Sequence, residues 1–415
     1  MYMRRIKILS LLLLTSIPLI AGSGSVYSRY GFGDLRTSFS ARRLGMGELG
    51  FALSDNDYLS ALNPASWSGL RLTRFEASLL YSGFNSQNSA SSVYHNNVDF
   101  NGMMFGFPID HDLGISFALG IVPYSEVNYE ITQVQNDPLV DPYNLNYKGN
   151  GGISKIFFGG SYRLPFDFSL GVTYDYYNGR IEHSAIAEFD PTSSFHQISF
   201  TDVTNYHGMS LTTGLISNDL SKYFGSSNFK DFRIGIVFTP AITMSTDSVD
   251  NASTSIGTLT NATGSIKTKF PYKLGIGTTF KYTDSYTFTI DYAFQPFSEF
   301  TSNGITTNNM QNYYKMGLGF EYRNSDTRSN AFWDHVMLRA GLSYEQSPFK
   351  INGTGINQFS VYGGFSLPIS YDNTIDFAFQ YGRRGTTDNS LVQENIYKFT
   401  ITLSIGDIWF VRTDR

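Results

Sequence analysis

Few residues of this chain are spaced for chemistry. Gly45-Met46-Gly47-Glu48-Leu49-Gly50 spells G-x-G-x-x-G, which binds dinucleotides when it follows a buried strand and opens a helix in a βαβ unit. Here Phe39-Ser40-Ala41-Arg42-Arg43 precedes it and no parallel-sheet pattern follows. Tight backbone turns are the better reading of Gly45, Gly47 and Gly50. The six histidines, at 95, 111, 183, 196, 207 and 335, show no H-x-x-x-H spacing, and cysteine is absent, which argues against a zinc site. No G-x-S-x-G elbow occurs, so an α/β-hydrolase nucleophile is excluded. Asp55-Asn56-Asp57 begins like a calcium loop but lacks its Gly and distant Glu. Asp291 and Asp376 sit on the polar faces of regular strand segments, where water-exposed lining suits them better than catalysis. No catalytic residue, metal or cofactor is assigned.

The elements that carry these residues are strands. In Tyr286–Phe294 the residues Tyr286, Phe288, Ile290, Tyr292 and Phe294 share one face, with Thr287, Thr289 and Asp291 on the other. Tyr314, Met316, Leu318, Phe320 and Tyr322 oppose Lys315, Gly317, Gly319 and Glu321, and Tyr397, Phe399, Ile401, Leu403 and Ile405 oppose Lys398, Thr400, Thr402 and Ser404. Successive strand side chains point to opposite faces, so each segment has one apolar and one polar face. The apolar faces begin and end in aromatics, and the other faces are polar or Gly, as a lumen requires. Charged residues are only 16% of the chain, against roughly 25% in soluble proteins. No internal run of about 18 apolar residues could span a bilayer as a helix. The pattern predicts an all-β, antiparallel transmembrane β-barrel of about fourteen strands, an even number that brings both barrel ends to one side. On this register Phe288, Ile290, Leu318 and Phe399 face lipid, and Thr289 faces a lumen that tolerates Arg. Polar stretches at Ser86–Asn97, Asn136–Asn146, Thr246–Asn261 and Asn324–Ala331 read as loops. A net charge of −5 argues against a nucleic-acid partner.

Ahead of the strands come two other units. Arg4, Arg5 and Lys7, the apolar Ile8–Ile20 and small Ala21-Gly22-Ser23 form a signal peptide over 1–23. Export without cysteine fits an outer membrane, where barrel closure supplies stability. Residues 24–70 are rich in Gly, Ser and Ala, with helix-like pieces around Ser40–Leu44 and Asp57–Leu62, and neither piece could build its own core. This composition predicts a plug lying inside the barrel formed by 71–415. Asn63-Pro64-Ala65 closes the plug: proline fixes the backbone and the Asn side chain bonds nearby amides, making a rigid turn before the first strand. Apolar Phe51, Leu53 and Leu62 are expected to line a hydrophobic path. In the third strand, Ile115, Phe117, Leu119 and Ile121 should face lipid, while Gly114, Ser116, Ala118 and Gly120 are small and should face the plug. Pro123 follows, where it cannot donate to the ladder. This sector is the expected lateral opening.

The run GMGELGFALSDNDYLSALNPAS, with its N-P-A tripeptide near the end, resembles the hatch of the long-chain fatty-acid transporter (FadL-type) family. Phe270-Pro271-Tyr272-Lys273-Leu274-Gly275 is similar to that family's Pro-containing start of a late strand, and Val122-Pro123-Tyr124 to its Pro-aromatic element. Leu338-Arg339-Ala340-Gly341-Leu342-Ser343-Tyr344-Glu345-Gln346-Ser347-Pro348 resembles its R-x-G-Y-x-Y-D-Q-S-P segment, with Glu345 in place of Asp. The opening Tyr27-Ser28-Arg29-Tyr30-Gly31 departs from the fatty-acid transporters. The resemblance implies an outer-membrane barrel with a hatch and passive uptake of a hydrophobic small molecule such as a fatty acid or aromatic hydrocarbon. Its other implication is a barrel that serves as a scaffold or attachment partner for exported proteins, and a third reading is a structural outer-membrane barrel that transports nothing. The expected surroundings are outer-membrane lipid, a hydrophobic ligand and, on the second reading, an exported protein.

Overall fold

The computed structural model describes residues 24–89, 91–136, 141–190, 192–193, 195–225, 228–324, 332–370 and 372–408. The expected signal peptide and most of the Asn324–Ala331 loop lie outside the described residues.

Period-two alternation builds fourteen antiparallel wall strands. They are β1 (Thr73–Gln87), β2 (Ser92–Asp110), β3 (Ile115–Gln135), β4 (Tyr143–Arg163), β5 (Ser169–Phe189) and β6 (Ile198–Ile216). The next two are each interrupted at a proline, which cannot donate to the ladder: β7 runs Phe229–Thr239 and Ile242–Thr254, and β8 runs Gly257–Phe270 and Lys273–Tyr282. Then come β9 (Tyr286–Gln295), β10 (Tyr313–Tyr322), β11 (Met337–Ile351), β12 (Thr354–Pro368), β13 (Thr374–Arg384) and β14 (Gln393–Asp407). Pairing of β14 with β1, from Gln393↔Gln87 to Asp407↔Thr73, closes the barrel. Two expected loops are strand instead. Ser86–Asn97 is a hairpin paired to Gln87↔Ser92, and Thr246–Asn261 is one paired to Thr254↔Gly257; polar composition marked strands rising clear of the apolar belt, not loops. The barrel end holding Thr73 and Asp407 is the base, and the opposite end the rim.

The outside is apolar. Leu79, Leu119, Ile156, Leu211, Ile236, Ile290, Leu318 and Val361 are all exposed, a continuous belt that water would not tolerate and hydrocarbon would. Aromatic pairs border it, Tyr381–Tyr397 and Tyr314–Tyr344 toward the rim, Tyr286–Tyr322 and Phe365–Phe377 toward the base. This is the girdle arrangement of a membrane barrel. Among the described residues no helix is long and apolar enough to cross a membrane; the strands do so.

The inside is filled. Residues 24–72 run through the lumen from near the rim to the base, and most of them are buried. Ser40 caps a short helix, Ala41–Gly45. The second expected helix-like piece is displaced. Asp57–Leu62 is irregular, held by wall bonds such as Leu59 N to Glu76 Oε1 at 2.8 Å. The helical turns fall instead at Pro64–Gly69, where Asn63 is the cap and Pro64 the first residue, the positions each favours. The lumen face is therefore not water-lined as expected. Thr289, Asp291 and Asp376 are buried beneath the segment.

Candidate functional site: the lumen segment and the parted wall

At the base, the segment is fastened by charge. Arg42 donates from Nε and a terminal nitrogen to Glu321 of β10, both at 2.8 Å, and also pairs with Asp55. Arg339 of β11 donates to Glu321 at 2.7 Å and to Asp376 of β13 at 2.9 Å. Tyr58 sits among them. Its hydroxyl donates to Asp376 at 3.2 Å, and the Arg42 guanidinium lies 4.3 Å from its ring centre. Removing one member of so buried a network leaves an uncompensated charge, at a cost of about 3–5 kcal/mol.

Halfway up, close backbone contact takes over. Gly47 has φ +83 and lies against Gly341 of β11, where a Cβ would collide with the Gly47 nitrogen. A Cβ on Gly214 of β6 would likewise strike the Asn63 side chain. Asn63 is fully buried; its Oδ1 accepts from Ala65 N at 3.0 Å and its Nδ2 donates to Phe51 O at 2.6 Å. Phe51 N donates to Asp291 Oδ1 at 2.7 Å. Pro64 and Ala65 continue the turn, and Gly45 and Gly50 bracket the bend that contains Gly47. Phe51, Leu53 and Leu62 are all buried. They pack between segment and wall; the cavity beside Phe51 and Leu62 measures only about 60 Å³, as does a second one that reaches toward the rim. Glu48 pairs with Lys315 of β10, which also bonds Glu345 at 2.9 Å.

Near the rim, Val26 N and the Ser25 hydroxyl donate to Glu394 of β14 at 2.8 Å and 2.9 Å. Arg384 of β13 bonds the same carboxylate at 2.6 Å and Asp34 at 2.9 Å. Phe32 is enclosed by Phe270, Phe297, Phe300 and Phe349 with ring centres 5.1–5.8 Å away.

The wall parts between β2 and β3. Their ladder runs from Asp110↔Ile115 to Met103↔Ile121 and ends there. Above it, the ladder partner of Ser92–Gly102 among the described residues is β1, and Val122–Gln135 pairs with β4 on its other side. The segment enters the space. Asp34↔Glu126 and Leu35↔Ser125 form a two-residue ladder with β3, and Arg36 N donates to Tyr124 O at 2.9 Å. The Arg36 guanidinium pairs with Glu126 on β3 and lies 3.9 Å from Asp99 on β2, so one side chain bridges the two edges. Above the bridge a cavity of about 590 Å³ opens toward the rim, lined by Tyr27, Tyr30, Val93, Ile131, Ile351 and Leu391 among others.

Of the residues expected at a lateral opening, Gly114 lies in the turn before β3 with φ +59. Ser116 and Ala118 are buried and face the lumen, and a Cβ on Gly120 would meet Met104 and Phe157, so the small residues here are covered. Pro123 sits just above the point where β2 leaves β3, and a register shift follows it. The charges that span the gap, Arg36, Asp99 and Glu126, escaped the sequence reading. The polar run Asn96-Asn97-Val98-Asp99, which breaks the alternation of β2, was the available signal.

A family model described as BamG matches residues 2–414 of the chain. No curated protein matches it. Among solved structures, the toluene transporter TbuX of Ralstonia pickettii aligns with a TM-score of 0.57 at 16% identity, covering 89% of this chain and 98% of its own. The toluene transporter TodX of Pseudomonas putida aligns at 0.57 and 13%, covering 91% and 99%. A FadL homologue of Pseudomonas aeruginosa aligns at 0.58 and 11%, covering 90% and 98%. At such identities the likeness is one of fold.

Proposed function

The chain belongs to the BamG family, and for it we propose an outer-membrane channel for hydrophobic small molecules, closed by the lumen segment acting as a hatch and opened sideways between β2 and β3. The parted β2–β3 ladder carries this reading. Only the lower part of the gap, beside Val98–Gly102, lies within the apolar belt; there an unpaired backbone group in lipid costs several kcal/mol, and a barrel that merely sealed a membrane would have no reason to keep one. The solute enters at the rim cavity, whose Tyr27, Tyr30, Ile131 and Leu391 offer apolar surface. It leaves through the gap once Arg36 and the Asp34–Leu35 ladder swing aside. Apolar solutes gain about 25 cal/mol per Å² on leaving water, so passage needs a route and no energy source. Toluene, the cargo named for two of the similar structures, indicates the size class, and no residue has to make or break a bond.

The test is a staple. Leu35 and Ser125 are register partners, at the spacing a disulfide accepts. In the double variant Leu35→Cys/Ser125→Cys, toluene uptake into cells should stop under oxidation and return on reduction. Equal uptake in both states would exclude the lateral route.

The filled lumen favours a second reading. Cavities of about 60 Å³ are well below the roughly 150 Å³ that holds benzene. On this reading the hatch never opens and the barrel is an attachment partner for an exported protein. Absence of uptake in the reduced double variant and in the wild-type chain would select it.

A further inference from the structure

We infer that the gap between β2 and β3 is a binding site for an extended peptide strand of a partner protein, which completes the wall above the point where the chain's own segment stops. The observation is the way the segment imitates a strand. The Ser28 hydroxyl accepts from Asn128 N at 3.0 Å and shares its proton between Asn128 O at 2.9 Å and Ser25 O at 2.8 Å, so one side chain stands in the place of a neighbouring residue's amide. Below it, Asp34, Leu35 and Arg36 supply true ladder bonds. Residue Asn128 thus turns its backbone to the gap, and in an antiparallel strand the direction alternates. Glu130, Thr132 and Val134 therefore turn theirs the same way, while Tyr129, Ile131 and Gln133 turn toward β4. Among the described residues no strand lies against Glu130–Gln135 on this side.

Such an edge is a template for an added strand. This one has no proline between Tyr124 and Gln135 to block it. Across the gap stands Ser92–Gly102, which ladders with β1 on its far side. The cavity between them is lined by Val93 from one edge and Ile131 and Thr132 from the other, over a floor that includes Tyr27 and Tyr30. Its occupant has extended backbone, small apolar side chains on alternate residues facing Tyr27, Tyr30 and Leu391, and neutral polar ones between. The occupant takes the same cavity as an entering solute and would compete with it, and the site stands whether or not a solute is carried.

The test uses the full chain in detergent micelles and a fluorescent synthetic peptide of alternating valine and threonine. Saturable binding is expected by anisotropy, with carbon-13 carbonyls in the peptide moving to the β-sheet infrared position. Thr132→Pro removes a donor that points into the gap and spares the β4 ladder, and should weaken binding roughly tenfold. The same peptide with N-methylated valines should lose binding by a similar factor to the unaltered protein. The oxidised Leu35→Cys/Ser125→Cys variant should still bind, even where uptake has stopped, because the upper edge is untouched. No binding at millimolar peptide, or equal binding of the N-methylated peptide, overturns the inference.

Discussion

Glu48 holds its charge in the middle of a filled barrel. Burial pushes its carboxyl up, but Lys315, Lys398 and Arg36 together outweigh burial and bring it down to about 2. A folded value below the ordinary 4.5 means that the contribution to docking is complete above that value and lost as pH falls toward 2. Planar-bilayer conductance should therefore stay low from neutral pH down to about 4.5 and rise only below it, and Glu48→Gln should leak at neutral pH. Asn63 offers a second check. Asn63→Ala leaves Phe51 O and Ala65 N without their bonds, a cost of about 1–3 kcal/mol for each buried group, visible as faster protease cleavage near residue 60 and as partial leak. The capping role of Asn63 was legible in the sequence because the amide it caps, Ala65 N, is two residues away; its bond to Phe51 O was not. Those of Asp291 and Asp376 were not. Asp291 bonds Phe51 from 240 positions away, and nothing local distinguishes such a carboxylate from one facing water.

Strands obey a simpler rule, and the alternation in β9, β10 and β14 was enough to place them. It gives a test of register. Ile290→Arg, on the exposed face of β9, should cost roughly 2–4 kcal/mol in urea titrations of barrel assembly. Thr289→Arg should be harmful as well, against the sequence expectation, because Thr289 lies beneath Met46 and is almost fully buried. Alternation tells inside from outside but not whether the inside is wet. The glycines at 317 and 319 were read as lumen lining; with Gly341 they mark where the segment's backbone touches the wall. The parting of β2 from β3 was beyond reach for a related reason. Both strands keep pairing on their other sides, so each remains a strand by composition while the ladder between them ends.

For the whole molecule the decisive experiment is removal of residues 24–70. If the segment is the seal, the shortened barrel should conduct ions as an open pore of many times the wild-type conductance, measured in planar bilayers. Unchanged conductance would show that loops close the lumen. One feature of the segment bears on how such a protein forms at all. Its bonds straddle the seam between the first and last strands, with Leu59 held by Glu76 of β1, and Ala41 and Val26 held by Thr402 and Glu394 of β14. These contacts join residues as much as 369 positions apart, the kind whose loop-closure entropy must be met before they reward it. Zippering of β14 onto β1 and seating of the segment should therefore be coupled, and the chain lacking residues 24–70 should close its seam more slowly when refolding is followed by gel mobility. The segment thus spans the barrel twice, across its lumen and along its seam, where it backs the ladder from Gln393↔Gln87 to Asp407↔Thr73.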